Sequence, residues 1–412
     1  MPNAVRWLAG LLVSGVALAA QAQQAPVYRI PPALDDNWRV TSAETLGLDP
    51  KRLAALTAML RATPQANVHA LLIERGGRLV YEEYFDGRDE RWGRPLGHVV
   101  MARDTLHDLR SVSKSVVSAL VGIALAEGEI GSVDRPVLDW FPELSELATP
   151  ERRRITLAHV LGMTAGLEWN EDMPYTDPRN DEIGMTRDPR PLHYVLSRPL
   201  VAVPGERFNY NGGLTQVLAA VLQRSTGVPL SDYARRKLFA PLGISDFEWL
   251  GNLDGLPAAA SGLRLRARDL AKFGSLYLHG GRWNGIAVLP AEWVAQSTRR
   301  HFVFTPRPGT VPRSDAGYAW QWWYSCLHTL AGPIEARIAV GNGMQRLIVL
   351  PGLDLVVTLF AGRYNDFADS MALASRILRE QVIPAVIGGV TTGCPGASRP
   401  LPVTDRTTAP TR

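Results

Sequence analysis

Ser111-Val112-Ser113-Lys114 opens a stretch in which Val112, Val116, Val117, Leu120, Val121 and Ala124 recur at helical spacing before Gly128 to Gly131 end the run. That period predicts a core helix with the tetrapeptide at its head. Residues three apart share a helix face, so the Ser111 and Lys114 side chains can meet. The lysine is scarce as well: only Lys51, Lys114, Lys237 and Lys272 stand among 44 Lys+Arg. An amine can lose its proton when desolvated and serve as a base, whereas a guanidinium stays charged. A serine at a helix N-terminus also sits where free N–H groups favour developing negative charge. The pair reads as nucleophile and base. A Ser-x-x-Lys match also arises by chance, so the rest of the chain must carry the reading.

Upstream, Leu53, Leu56, Met59 and Leu60 predict a helix over Asp49 to Arg61. A hairpin follows, from Val68-His69-Ala70-Leu71-Leu72-Ile73 through a Gly76-Gly77 turn to Leu79-Val80-Tyr81. Downstream, helices alternate with Pro/Asp-rich loops from about Arg135 to Gly262, the longest loop running from Glu168 to Pro191. A loop of that length suits a lid or a site wall. After a helix Ala267 to Leu278 come expected strands Tyr318 to Tyr324, Ile334 to Val340, Arg346 to Leu350 and Leu355 to Phe360, then a helix from about Phe367 to Ile383. The expected fold is α/β of the α+β kind: one antiparallel sheet completed by both chain ends, flanked by helices, with an inserted, mainly helical domain. The expected boundaries are 23–134 with 263–388 for the discontinuous sheet domain, 135–262 for the insert and 389–412 for a disordered tail. A site would fall in the cleft between the two.

Composition narrows the function classes. A net charge of +4 without a long basic block gives nothing that would grip nucleic acid. The first 22 residues, with Arg6, an apolar run from Leu8 to Ala20 and Ala20-Gln21-Ala22, read as a signal peptide, so the expectation is an exported, periplasmic or secreted protein without stable membrane insertion after cleavage. Export permits a disulfide between Cys326 and Cys394, and two free thiols are equally compatible. Neither cysteine has zinc-site neighbours and the eight histidines show no His-Glu-x-x-His, so no metal and no cofactor are implied. Oligomeric state is not addressed by the sequence.

Acyl transfer by serine needs a third polar group to deliver a proton to the leaving group. Tyr210, in Pro204-Gly205-Glu206-Arg207-Phe208-Asn209-Tyr210-Asn211-Gly212-Gly213 ahead of an apolar helix, is the candidate. On the long loop, Trp169, Asn170 and Tyr175 are candidate pocket residues, and Glu171 and Asp172 beside them could receive a substrate amine. Trp320 and Trp322, alternating on a strand, suit the core as well as a pocket wall. Gly162-Met163-Thr164-Ala165-Gly166 mimics a nucleophile elbow, but an expected helix precedes it and it reads as a turn.

Ser111-Val112-Ser113-Lys114, Tyr210-Asn211 after Pro-Gly-x-x-Phe, and Gly341-Asn342-Gly343-Met344-Gln345 before a strand ending in Pro351 together resemble the serine hydrolases of the class C β-lactamase superfamily. The stretches His159 to Leu167 and Leu263 to Ala271 support it. The resemblance spans about residues 40 to 385 and is closest to the carboxylesterase and 6-aminohexanoate-dimer (nylon-oligomer) hydrolase branch. It implies Ser111 as acylated nucleophile, Lys114 as its base and Tyr210 as proton shuttle. It further implies an oxyanion hole from the N–H of Ser111 and of Asn342 in the Gly341 to Gly343 turn, with Asn211, Gly341 and Gly343 lining the substrate site.

Two departures bear on the substrate. Gly212 stands where β-lactamases carry the asparagine of Tyr-x-Asn, and no lysine follows Lys272, so the Lys-Thr-Gly that binds a β-lactam carboxylate is absent. Arg337 or Arg346 are the available cations, though a guanidinium is not a like replacement. The expected partner is therefore a small ester or amide. A β-lactamase or D-Ala-D-Ala peptidase is the second enzymatic reading, and a non-catalytic envelope-binding protein on the same scaffold is the third.

Overall fold

A computed structural model describes residues 27–252, 254–304 and 314–394. Its centre is an eight-stranded sheet made of β1 (Val68–Arg75), β2 (Arg78–Tyr84), β3 (Phe302–Val303), β4 (Ser314–Tyr318), β5 (Trp323–Thr329), β6 (Gly332–Gly341), β7 (Gln345–Leu350) and β8 (Leu355–Ala361). The order across the sheet is β3-β4-β5-β6-β7-β8-β1-β2, antiparallel throughout. The N-terminal hairpin thus docks on the last strand, with Leu71 opposite Leu359, and the two ends of the chain complete one sheet. The hairpin turns at Gly76 and Gly77, with φ 57° and 70°, a left-handed pair that glycine adopts without a Cβ clash.

Helices cover both faces, which is why β1 is buried throughout and apolar on both sides from Ala70 to Ile73. Leu71 and Ile73 join the helix Pro50–Arg61 and the C-terminal Ile377, Leu378 and Val382. Ala70 and Leu72 face the other way, onto a core that holds Val116 and Leu120 of the helix Ser113–Ala126 and Phe273 and Leu276 of the helix Ala267–Leu278. Segment 135–262 is largely helical, with Leu157–Leu161, Asp181–Arg187, Pro191–Leu196, Gly212–Thr226 and Leu230–Ala234, and its apolar residues belong to that same second core. The helix Ser113–Ala126 is buried along nearly its whole length, packed against Gly212–Thr226. It is the axle between sheet and insert.

Two expectations are corrected. Tyr318 to Tyr324 is not one strand: β4 ends at Tyr318, the chain turns through Gln321 at φ 67°, and β5 starts at Trp323. The turn lacks glycine or proline because its polar groups are satisfied internally. Ser115 Oγ donates to Gln321 O at 2.7 Å, Thr215 Oγ1 to Gln321 Oε1 at 2.8 Å, and Gln321 Nε2 to Leu161 O at 2.9 Å. The tail is also held further than expected. Thr391 N–H donates to Gly352 O at 2.7 Å, Gly393 N–H to Pro333 O at 2.8 Å, and Cys394 is disulfide-bonded to Cys326 with 5.9 Å between Cα atoms. The expected signal segment and residues 395–412 lie outside the described residues. Among the described residues no helix is long and apolar enough to cross a membrane.

Candidate active site

Ser111 lies in a 3₁₀ turn, Arg110–Val112, that feeds directly into the helix Ser113–Ala126. Arg110 adopts φ 50°, a left-handed conformation costly for a residue with a side chain and characteristic of over-determined sites. Several groups hold it there. Its guanidinium pairs with Asp108 at 3.2 Å and with Glu90, and lies 4.9 Å from the ring of Tyr364. Ser113 Oγ donates to Arg110 O at 2.7 Å and accepts from Leu263 N–H at 3.2 Å, which fixes the turn from below. Ser111 is 9% exposed.

Lys114, one turn on and 1% exposed, donates to Ser111 Oγ at 3.0 Å and to Ala260 O at 3.1 Å. Tyr210 stands beside them, the Lys114 ammonium 5.1 Å from its ring centroid and its hydroxyl within hydrogen-bonding reach of Ser111. The phenol ring stacks on Trp323 at 5.7 Å and meets Tyr318 edge-on at 6.3 Å. Phe208, Phe302 and Phe304 extend this aromatic wall. The three expected catalytic side chains are therefore together.

The turn Gly341 to Gly343 lies against the same segment. A Cβ on Gly341 would sit 2.4 Å from Leu109 O and 3.2 Å from Arg110 Cβ, so only glycine lets this end of β6 approach the serine turn. Asn342 is anchored through its side chain, donating to Asn365 Oδ1 at 3.2 Å and accepting from Asn365 N–H at 2.7 Å. Gly343, at φ 90°, packs on the ring of Tyr364. Asn211 is buried, and its Oδ1 caps the helix Gly212–Thr226 by accepting from Leu214 N–H at 3.1 Å.

The long loop behaves as a site wall whose buried edge is acidic. Its helix Asp181–Arg187, capped by Asn180, sends Glu182 to within 3.4 Å of Lys114 Nζ. Glu171 lies beside Glu182, and its carboxylate accepts from Trp169 Nε1–H at 2.7 Å, Gly212 N–H at 2.6 Å and the Tyr175 hydroxyl at 2.9 Å. Trp169 and Tyr175 thus anchor this carboxyl, and Glu171 is engaged by the protein itself. Asn170 is exposed and accepts from Asp172 N–H at 3.2 Å within its own loop. Trp322 is core, against Phe273 and Tyr277, and Trp320 packs on Trp293 and His301. Glu182 was missed in the sequence because it meets the site across the fold. The Asn180 cap and acidic first turn mark a helix start but not where its second residue points.

Charge is distributed unevenly over this cluster. Burial, the largest influence, would lower the Lys114 pKa, but Glu182, Tyr210 and Glu171 outweigh it and hold the ammonium above its usual value. Burial likewise opposes ionisation of Glu182, yet Lys114 and a hydrogen bond from Glu171 keep it below the usual carboxyl range. Glu171 shows the opposite sign: burial beside the Glu182 carboxylate pushes it up to about 8. Two adjacent carboxyls share one proton, next to one ammonium. The expectation that desolvation would free Lys114 of its proton is therefore corrected, and the physical reason is Glu182. Burial also raises the Tyr210 phenol, against the pull of Lys114.

This arrangement can ionise a serine hydroxyl and return a proton to a leaving group, with backbone N–H groups close by. A cavity of ≈ 1100 Å³ lined by Thr63, Gln65, Ala66, His328 to Ala331 and the C-terminal helices includes none of these residues.

The beta-lactamase family profile matches residues 54–375. The 6-aminohexanoate-dimer hydrolase of Paenarthrobacter ureafaciens is 28% identical over 303 residues, covering 70% of this chain and 71% of that protein. Esterase EstB of Burkholderia gladioli is 32% identical over 184 residues, 42% of this chain and 45% of the esterase. Among solved structures, EstCE1, a hydrolase with promiscuous acyltransferase activity, superposes with a TM-score of 0.60 at 18% identity, over 82% of this chain and 98% of that one. On this fold, this site and these matches, the chain belongs to the beta-lactamase family and is an enzyme of its serine hydrolase class.

Proposed function

We propose that the protein is an exported hydrolase that cleaves a small ester or amide through an acyl-enzyme on Ser111. The observation that carries this reading is the 3.0 Å hydrogen bond from Lys114 to Ser111 Oγ with Tyr210 alongside. Lys114 starts as an ammonium, so it becomes a base only when its proton moves to the Glu182 side of the carboxyl pair. The amine then takes the Ser111 proton as Oγ attacks the acyl carbon. Tyr210 gives its proton to the departing alkoxide or amine and recovers one from Lys114. The carbonyl oxygen, negative in the tetrahedral intermediate, would be held by the N–H of Ser111 and of Asn342. On the acyl-enzyme, Lys114, still neutral, takes a proton from the attacking water, and Tyr210 protonates the departing Ser111 Oγ and recovers one from Lys114. Glu182 then returns its proton to Lys114, and the carboxyl pair ends with the single proton it began with.

An ester or amide is favoured over a β-lactam because the two arginines that could replace the absent lysine are engaged. Arg337 Nε donates to Glu335 at 2.8 Å, and buried Arg346 donates to Gly341 O at 3.1 Å and Gln345 O at 2.8 Å. The names of the relatives, an amide hydrolase and an esterase, agree with that preference. The aromatic wall of Phe208, Phe304 and Trp323 suits an apolar acyl or alcohol portion. Incubation with a fluorophosphonate probe and with p-nitrophenyl acetate tests the reading: labelling and turnover that vanish in Ser111→Ala are expected. Equal behaviour of parent and variant would overturn it, and labelling by a fluorescent penicillin would restore the β-lactam alternative.

A further inference from the structure

Behind the serine turn, three side chains from separate segments converge in a buried pocket: His69 of β1, Asp89 of the strand Gly87–Arg91 and His107 of the strand His107–Asp108. The His69 Nδ1 and His107 Nε2 atoms are 2.9 Å apart, and Asp89 Oδ1 is 3.5 Å from the latter and 3.9 Å from the former. What occupies the space between them depends on where the imidazole protons are.

The outer nitrogens answer that. His107 Nδ1 lies 3.0 Å from Asp108 O, a carbonyl that can only accept, so Nδ1 carries a proton, and in the neutral imidazole Nε2 carries a lone pair. His69 Nε2 faces Asn67 Oδ1 at 3.3 Å. The orientation of that amide is set by Arg88, whose N–H donates to Asn67 Oδ1 at 3.0 Å and whose carbonyl accepts from Asn67 Nδ2 at 2.8 Å. The His69 proton is therefore on Nε2, and its Nδ1 also presents a lone pair. With their outer protons committed, the two imidazoles in the neutral form point lone pairs at each other and at a carboxylate oxygen. Such an arrangement wants a cation at its centre.

We infer that His69, Asp89 and His107 form a binding site for a divalent transition metal, Zn²⁺ by its ligand set, that ties the serine-bearing segment to the sheet. Tetrahedral bonds of about 2.05 Å set ligand atoms roughly 3.4 Å apart. The three observed separations, 2.9, 3.5 and 3.9 Å, bracket that value. Imidazole and carboxylate donors with outer N–H groups on a carbonyl and an amide oxygen are the arrangement that orients metal-binding histidines. A cavity of ≈ 10 Å³ bordered by both imidazoles, Tyr84, Met101 and Thr105, with Asp89 outside its lining, is about the size of one water. Gly87 and Gly362 close over His69, where a Cβ on either would come within 2.7 Å of its ring.

The location gives the metal a task. His107 is four residues ahead of Ser111, and the Tyr364 hydroxyl donates to Asp89 Oδ1 at 2.8 Å. The same tyrosine packs on Gly343 and under Arg110. A cation here would fix both the serine turn and the Gly341 to Gly343 turn without touching substrate. The expectation of no metal came from cysteine neighbours and one histidine motif, and neither pattern can detect ligands drawn from three strands.

Elemental analysis of the full chain, purified in zinc-supplemented buffer and dialysed against metal-free buffer, should find about one zinc per chain. ZnCl₂ added to chelator-stripped protein should raise Tm by several degrees, and Co²⁺ should give the visible absorption of a tetrahedral nitrogen/oxygen site. Asp89→Asn and His107→Gln should each abolish retention and the Tm response. The parent alone decides the matter even if a variant fails to fold: no retained zinc and no Tm change would overturn the proposal. Retention unchanged in both variants would overturn it as well, and so would ¹⁵N shifts showing an imidazolium at His69 in zinc-saturated protein. None of these readouts depends on hydrolytic activity.

Discussion

Glu182 Oε2 stands 3.4 Å from Lys114 Nζ, with both side chains at most 4% exposed. A lone ammonium at this depth would deprotonate, so the carboxylate decides that the resting base is charged. Burying two charges is repaid only while both are present, and removing one partner of such a pair typically costs 3–5 kcal/mol. Glu182→Gln should therefore lose roughly 3 kcal/mol of stability near pH 7, read by urea unfolding. The sign of its pH dependence follows. Without Glu182 the Lys114 pKa falls below its unfolded value, the unfolded chain binds more protons, and stability rises with pH through that window. The deficit should shrink between pH 7 and pH 10, and a constant deficit would mean that Glu182 acts only as a packing group.

Glu171 supplies the complementary prediction. Its carboxyl sits at about 8 against an ordinary 4.5, because burial and the Glu182 charge both oppose ionisation. Between those values the folded chain keeps a proton that the unfolded chain gives up, so this group's contribution to stability falls as pH rises from 4.5 to 8 and is level beyond. Glu171→Gln keeps an acceptor for Gly212 N–H and cannot ionise. Its Tm relative to the parent should climb from pH 5 to pH 8 by several degrees. A difference independent of pH would show that the two carboxyls do not share a proton.

Much of this arrangement is legible in the chain, and the limit is physical. The helix of Ser113–Ala126, the Gly76-Gly77 hairpin and the helix Ala267–Leu278 follow from period and turn chemistry, which are local. Ser111 and Lys114 meet because three residues on a helix fix their geometry, and Tyr210 was marked by its turn-rich setting. Glu182 was not marked, since its approach to Lys114 spans 68 residues of sequence and depends on how the long loop docks. The same non-locality hid the Gln321 turn, stabilised by Leu161 and Thr215 rather than by glycine or proline. It also hid the state of Lys114, because a desolvation argument counts burial and omits a carboxylate brought in from another helix.

Tyr210→Phe separates proton delivery from packing. The ring retains its stack on Trp323 at 5.7 Å, while the hydroxyl that reaches Ser111 is lost. General acid catalysis contributes about 10²- to 10⁴-fold. p-Nitrophenolate departs without protonation, whereas an alkyl amine does not. The loss of kcat should therefore be at least about 10-fold greater for an anilide or alkyl amide than for p-nitrophenyl acetate, with KM little changed. Equal losses on both substrates would assign Tyr210 to ionising Ser111 rather than to the leaving group.

Gly341→Ala tests the turn opposite the serine. The added Cβ would lie 2.4 Å from Leu109 O, a backbone atom that cannot rotate away, and 3.2 Å from Arg110 Cβ. The end of β6 must then retreat from the serine turn and carry the Asn342 N–H with it. Loss of one oxyanion donor costs about 10²- to 10³-fold in kcat. p-Nitrophenyl acetate turnover should fall by at least about 100-fold and fluorophosphonate labelling should slow in parallel. Gly131→Ala, where a Cβ meets nothing within 4 Å, serves as the control glycine and should leave both unchanged. Full turnover in Gly341→Ala with a normal Tm would mean that the carbonyl oxygen is held elsewhere, and the role given to Asn342 would have to be withdrawn.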